Sequence, residues 1–370
     1  MSAAYRADHV GSFLRPAEVK EARAAFQAGR LPLDQLHHIE DRAILAALER
    51  QRSIGVDIFT DGELRRSGFQ NDLVEAVEGF VATARPAVVR IWQGPGGEPQ
   101  EQGTRQVVGG KLRQVRRLTE SQTRFLQTHA PGPIKMTVPS PNQFPAISFQ
   151  TGVTEQFYPT RSDLLWELVA IIKREIAALV ADGVPYIQMD EPRYSYYVDA
   201  KWRQHLRDLG EDPDRMFDAS IAADNACLEG VPRQGLTVAL HMCRGNNESK
   251  WYAEGGYEPI AERLFGTLAV DRYLLEYDTA RAGTFEPLRF MPRDKMVVLG
   301  LVSSKEPKLE SQDELLRRID EASRYVSIEN LALSPQCGFA STAAGNLLTE
   351  EEQWRKLELV VATARKVWGA

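Results

Sequence analysis

The sequence predicts a closed (β/α)8 TIM barrel, because eight strand-like runs alternate with helical patterns over a length that one large barrel fills. The chain has 370 residues, and it shows no internal repeat and no disordered linker. Residues 1–370 are therefore expected to form one domain. Each run ends in small or polar residues, as strands do where they meet a loop. The first two are ADHVGSF at 7–13 and GVDIFTDGE at 55–63. Next, β-prone AVVRIW and RQVV flank the Gly/Pro-rich QGPGGEPQEQG at 93–103, which predicts a projecting hairpin insertion near 85–118. The third and fourth runs are IKMTVPSP at 134–141 and PYIQMDEP at 185–192. Between them Leu164, Leu165, Leu168, Ile171, Ile172, Ile176 and Leu179 trace one face of a helix over 162–181, with Gly183 as its stop. The last four runs are TVALHMCRG at 237–245, RYLLEYDT at 272–279, MVVLGLVSS at 296–304 and LALSPQCG at 331–338. Ser311 with Glu314 reads as a capping box before the helix around Leu315 and Ile319, and Thr349 with Glu352 as the opening of the last helix. A doubly wound open sheet is the alternative, but no G-x-G-x-x-G turn follows any run.

Composition narrows the function. At 43% hydrophobic and 26% charged residues the chain is ordinary for a soluble globular protein. A formal net charge of −6 argues against a nucleic-acid surface. The basic KLRQVRR at 111–117 reads as a solvated loop or hairpin arm. No apolar stretch approaches the roughly 20 residues that span a bilayer. The N-terminal MSAAYRADHVGS lacks an apolar signal core, so a cytoplasmic protein is expected. Three scattered cysteines do not make a disulfide framework, and reduced thiols are free to bind metal. Cys227, inside helical IAADNACLEG, reads as packing.

Such barrels place their active site at the C-terminal strand ends. There the runs offer His9 and Ser12, Asp61 and Glu63, Asp190 and Glu191, His241 and Cys243, Glu276 and Asp278, Lys305 and Cys337. Side chains two apart on a strand share a face, so His241 and Cys243 present an imidazole beside a thiolate. Each alone has a plain structural reading, since free cysteine often packs as a small hydrophobe and strand-end polar residues cap helices. Their accumulation is different, because buried charges need partners or a metal. Two thiolates, an imidazole and one carboxylate suit tetrahedral zinc. The formal charge of such a site is about −1, whereas a hydrolytic zinc usually has mostly neutral ligands. This centre is expected instead to bind an incoming thiol in place of Glu276, lower its pKa, and keep its sulfur nucleophilic toward an electrophilic carbon. A structural zinc gathers ligands in close pairs, whereas these are spread from position 241 to 337.

The His-x-Cys at 241–243, the strand-end Glu276, the Cys-Gly at 337–338 and the N-terminal HVGSFLRP resemble the catalytic barrel of cobalamin-independent methionine synthases. The resemblance is stronger to their single-barrel relatives and covers essentially the whole length. It implies a zinc held by His241, Cys243, Glu276 and Cys337, and methyl transfer to homocysteine to give methionine. It also implies that Ser12 meets the substrate carboxylate and that Glu63 and Asp190 meet its amine. His9 faces the site if the first strand runs as drawn, and is counted with the substrate residues. The departures concern the donor. The two-barrel enzymes carry a folate-stacking Trp after the third strand, where TVPSPNQF has none. Tyr196 stands where those enzymes have an acid. Lys305 stands where a histidine helps to protonate the donor. Asp190 and Lys305 are the candidate catalytic residues. The donor is open between methyltetrahydrofolate, which needs a proton at its leaving nitrogen, a methyl-corrinoid (with a corrinoid protein as partner) and another small molecule. The alternative is an epoxyalkane:coenzyme M-type thiol alkyltransferase, in which Arg15, Arg244 or Lys305 would meet a sulfonate. The aromatic RYSYYVDAKW at 193–202 is read as a pocket wall or helix-start packing.

Overall fold

The computed structural model describes residues 5–94 and 99–369. Positions 95–98, within the predicted hairpin tip, lie outside the described residues. Among the described residues there are ten strands. β1 (Val77–Ala82), β2 (Val88–Trp92), β3 (Gln100–Thr104) and β4 (Gln106–Gln114) form the insertion. β5 (Lys135–Pro139), β6 (Tyr186–Asp190), β7 (Thr237–Met242), β8 (Arg272–Glu276), β9 (Met296–Val302) and β10 (Leu331–Pro335) form one six-stranded sheet in the order β10-β9-β8-β7-β6-β5. All of its pairings are parallel. Nearly every residue in these six strands is buried, which is what parallel strands covered on both faces require.

Register carries the predicted site residues to one end of the sheet. Asp190 pairs with His241 and His241 with Leu274, so Cys243 and Glu276, each two residues further on, leave the sheet at the same level. Glu276 pairs with Gly300 and Gly300 with Ser334, which brings Cys337 to that end as well.

The two remaining predicted strands are shorter than expected. Run 7–13 makes one parallel bridge, Ala7 to Leu333, at the β10 edge. Run 55–63 makes one, Phe59 to Ile134, at the β5 edge. Gly11, at φ 135°, and the turn at Gly62 and Glu63, at φ 67° and 56°, leave extended geometry and end both runs early. The runs also touch each other, through the His9 Nε2 and Ile58 carbonyl contact at 2.9 Å. A buried cluster takes Val10, Ile58, Tyr186, Ala239, Leu274, Val298 and Ala332, one from each of the two runs and from β6 to β10. At the opposite end from the cysteines, Asp8 accepts from Lys135 Nζ at 2.7 Å and from Tyr186 at 2.7 Å, with Arg272 at 3.1 Å. Burial opposes that carboxylate, but Lys135 and Arg272 hold it down to about 2.

The insertion is two antiparallel ribbons, β1 with β4 and β2 with β3, and it begins at Val77, earlier than the sequence indicated. KLRQVRR lies largely in β4, as a hairpin arm. The long helix spans Arg161–Ala181 and opens with a capping box of Thr160 and Asp163; Gly183, at φ 76°, closes it. Thr349 and Glu352 form the predicted capping box of the last helix, Glu350–Trp368. Ser311 does sit at the N-cap of helix Gln312–Ser323, but no side-chain cap bond forms, because Glu314 pairs with Arg317 instead. Among the described residues no helix is long and apolar enough to cross a membrane.

Candidate metal centre and substrate pocket

One ligand atom each from His241, Cys243, Glu276 and Cys337 lie within 4.8 Å of one another, and all four residues are buried. Cys243 Sγ is 3.5 Å from Cys337 Sγ, and Cys337 Sγ is 3.4 Å from His241 Nε2. Two sulfurs bonded at about 2.3 Å to a tetrahedral zinc stand roughly 3.8 Å apart, so the cysteine pair is within a few tenths of an ångström of that spacing and need only part slightly. The donor set and an orphaned atom both fit a cation: Glu276 Oε2 is buried with no hydrogen-bond partner among the described residues. Electrostatics point the same way. The Cys337 thiol, burial and the Glu276 charge together push the Cys243 thiol well above its ordinary range. Four potential anionic or basic donors converge where water is excluded, an arrangement that a cation relieves.

The local supports are built in. Cys243 Sγ accepts from the Gly245 amide at 3.2 Å. Glu276 Oε1 accepts from the Arg244 amide at 3.1 Å and from Gln336 Nε2 at 3.3 Å. Burial would protonate Glu276, but Arg281, Arg244 and Lys305 outweigh it and hold the carboxyl below its usual range. Arg281 and Arg244 approach Glu276 Oε2 at 3.8 and 3.9 Å.

A cavity of about 150 Å3 opens beside His241, Cys243 and Cys337, and its lining includes Ser12, Glu63 and Asp190. These three predicted substrate residues therefore share one pocket with three of the four candidate metal ligands; Glu276 lies outside the lining. Glu63 Oε1 accepts from Thr137 Oγ1 at 2.9 Å and lies 3.3 Å from Arg66, while its Oε2 is buried with no hydrogen-bond partner among the described residues. Asp190 Oδ1 accepts from Gln188 at 2.8 Å. Burial lifts the Asp190 carboxyl to about 6 against the pull of His241, with Glu63 adding to the rise.

Other predicted residues sit elsewhere. His9 does not line the cavity: its Nε2 contacts the Ile58 carbonyl, and burial with Lys135 lowers its pKa to about 4, so it is a neutral link between two runs. Lys305 is also outside the lining. Its ammonium donates to the Gly245 carbonyl at 2.9 Å, Asn246 Oδ1 at 2.8 Å and the Lys250 carbonyl at 3.3 Å. All three donors are used, and the side chain latches the loop after β7. Arg15 spends its guanidinium on the carbonyls of Glu63, Arg66, Ala340 and Thr342, and Arg244 binds Gly255 and Tyr257. None of the three cations offered for a sulfonate faces the cavity. Asp61 accepts from the Glu63 amide, and Asp278 from Ser303 and Arg281. Glu191 faces away into a buried polar group with Asp224. Sequence reasoning missed Arg90, Trp92 and Gln102, which reach the cavity from β2 and β3. The alternation in AVVRIW was the available signal, since it puts Arg90 and Trp92 on one face.

An α/β fold with a buried thiol, imidazole and carboxylate cluster at the strand ends, able to hold a metal, is that of a candidate metal-dependent enzyme. The chain belongs to the family described as cobalamin-independent synthase, catalytic domain, which it matches over residues 6–366. An uncharacterized Bacillus subtilis protein, YxjH, is 40% identical over 369 residues, covering 99% of this chain and 95% of that one. A methionine synthase of Pyrococcus abyssi is 24% identical, covering 97% and 91%. Among solved structures, a putative vitamin-B12 independent methionine synthase from Listeria monocytogenes superposes with a TM-score of 0.77 at 28% identity, covering all of both chains. A B12-independent methionine synthase from Shewanella, solved with selenomethionine, has the same fold, with a TM-score of 0.73 at 21% identity, covering 99% and 98%. The family is cobalamin-independent, which gives no support to the corrinoid partner considered from sequence.

Proposed function

We propose that this chain is a zinc-dependent methyltransferase that converts homocysteine to methionine with a small-molecule methyl donor. The observation that carries the reading is the four-residue cluster, three of whose members, His241, Cys243 and Cys337, line one cavity with Glu63 and Asp190. The proposed frame is a single-domain (β/α)8 barrel, supported by the contacts between runs 7–13 and 55–63 and by the cluster that draws on both.

In this reading His241, Cys243, Glu276 and Cys337 hold the metal. Zinc, when bound, supplies the charge that lets a thiol ionise near neutral pH while its sulfur stays nucleophilic. The protein's own groups do the rest. Glu63, fixed by Thr137 and Arg66, offers its unpartnered Oε2 to the substrate ammonium, and Asp190 adds a second charge. Ser12 meets the carboxylate. Arg244, Arg281 and Gln336 surround Glu276 and would keep its carboxylate paired whether or not it serves as a metal ligand. The sulfur–methyl bond forms as the donor's bond to that methyl breaks, and the thiol proton ends on the leaving group or solvent. Lys305 acts as a positioning residue for the loop after β7.

Elemental analysis of protein purified without added metal tests the centre: about one zinc per chain in wild type and a clear loss in Cys243→Ser are expected. Turnover with homocysteine but not with 4-mercaptobutanoate, which lacks the amine, is expected of the pocket. Equal turnover of both thiols would remove Glu63 and Asp190 from amine recognition, and a folded, reduced wild type without zinc refutes the proposal.

A further inference from the structure

The hairpin insertion contributes more than a roof. It is pinned to the loop after β7, where Gln93 and Trp251 exchange backbone hydrogen bonds of 2.7 and 2.8 Å and Asn247 donates to Gln102 at 3.2 Å. That docking brings Arg90 to the cavity, where among the described residues it is the only arginine or lysine in the lining.

Arg90 is held in a tray of aromatic rings. Its Nε donates to Tyr196 Oη at 2.7 Å, and its guanidinium stands 4.7 Å over the Tyr252 ring and 5.8 Å from that of Tyr196. Tyr196 is stacked on Trp202 at 3.8 Å, and Trp202 Nε1 donates to the Tyr252 carbonyl at 2.8 Å. One nitrogen therefore fixes the group, leaving the two terminal nitrogens as a fork. Among the described residues neither has a hydrogen-bond partner, and no carboxylate lies within ion-pair distance. A guanidinium held over aromatic faces in the lining of a cavity, with its two terminal nitrogens unpartnered among the described residues, suits a planar two-oxygen anion in bidentate geometry.

We propose that Arg90 is the carboxylate-binding, specificity-determining residue of this cavity. The inference rests on the thiol-methyltransferase reading. The carboxylate has two possible sources there, the amino-acid thiol itself or the methyl donor, and the test separates them.

Calorimetric titrations would compare wild type, Arg90→Met and Arg90→Lys, with zinc content measured on the same samples. The probes are L-methionine, 3-(methylthio)propylamine, which is methionine without its carboxylate, and 5-methyltetrahydrofolate. If the amino acid supplies the anion, Arg90→Met weakens L-methionine roughly 10- to 100-fold and leaves the amine unchanged. If the donor supplies it, the same loss falls on 5-methyltetrahydrofolate and L-methionine is unaffected. Arg90→Lys recovers only part of either loss, because an ammonium lacks the fork. The assignment is overturned if Arg90→Met binds every probe as wild type does. It is equally overturned if methionine and its decarboxylated analogue weaken together, which would make Arg90 a support of the hairpin, or if wild type binds neither carboxylate. Absence of zinc from the samples counts against the proposed function and is read separately from any dependence on Arg90.

Discussion

Gly338 and Ser12 offer a test of the pocket that touches no candidate metal ligand. A Cβ added at Gly338 would lie 2.0 Å from Ser12 Oγ and 3.2 Å from Ser12 Cβ. The first distance is far inside any real carbon–oxygen contact, so in Gly338→Ala the hydroxyl must turn by about 120° into another staggered well. Turning costs the Ala340 amide its acceptor at 3.4 Å, a long bond whose loss is worth at most about 1 kcal/mol of stability. The larger effect falls on the ligand. A hydroxyl aimed at a carboxylate contributes about 1.5–3 kcal/mol, so its misdirection weakens L-methionine binding roughly 10- to 150-fold. Ser12→Ala removes the same hydroxyl and is expected to lose the same amount. The double variant Ser12→Ala/Gly338→Ala should then bind no worse than either single one, because both act through one oxygen. Calorimetric titration of the three variants, with the KM for homocysteine as a second reading, decides the matter. Multiplicative losses in the double variant would refute the reasoning. Loss of zinc from Gly338→Ala would also refute it, by showing that the strain is relieved through neighbouring Cys337 and not through Ser12.

Two further outcomes are expected. Lys305→Met strands the Gly245 and Lys250 carbonyls and Asn246 Oδ1, so thermal denaturation should show about 2 kcal/mol of lost stability while the shape of the pH–rate profile is kept; a lost limb in that profile would restore Lys305 as an acid. Stability should also fall as pH rises through neutrality. Burial lifts Glu191 to about 8, with the Asp224 charge adding to it, and lifts Asp224 to about 7, whereas unfolded carboxyls titrate near about 4. The folded state therefore holds the extra protons, and their contribution is complete below about pH 4 and lost on the way to about pH 8. Thermal midpoints between pH 5.5 and 8.5 should decline less steeply in Asp224→Asn, and parallel curves would remove this pair as the cause.

The strands were legible because their physics is local. Six runs that are apolar on both faces could only be central parallel strands, and the polar residues that end them fixed which end carries chemistry. The two outer runs were overdrawn. Gly11, Gly62 and Glu63 take left-handed or open backbone conformations that sequence periodicity cannot register, so each run collapses to a single bridge. The capping box at Ser311 failed for a comparable reason. The motif specifies compatible side chains, but Glu314 had a second partner one turn away in Arg317, and nothing in the spacing ranks the two.

Within the site, ligand type and strand spacing were enough to bring His241, Cys243, Glu276 and Cys337 into one cluster, because a two-residue step along neighbouring parallel strands is a fixed geometry. Beyond the strands that certainty ends. Lys305 and His9 stand at strand ends as expected, yet the Lys305 ammonium is bonded to the loop after β7 and His9 Nε2 to the Ile58 carbonyl, and neither lines the cavity. A strand-end position specifies depth along the sheet and says nothing about rotation, and a buried ammonium takes whichever acceptors complete its shell. Arg90 is the converse case. It belongs to the insertion and not to the six-stranded sheet, and the docking of Gln93 on Trp251 brings it into the lining of the cavity. Chemistry delivered by an insertion depends on how that insertion folds back, so a pocket read from strand ends alone has walls but is missing the part that closes it.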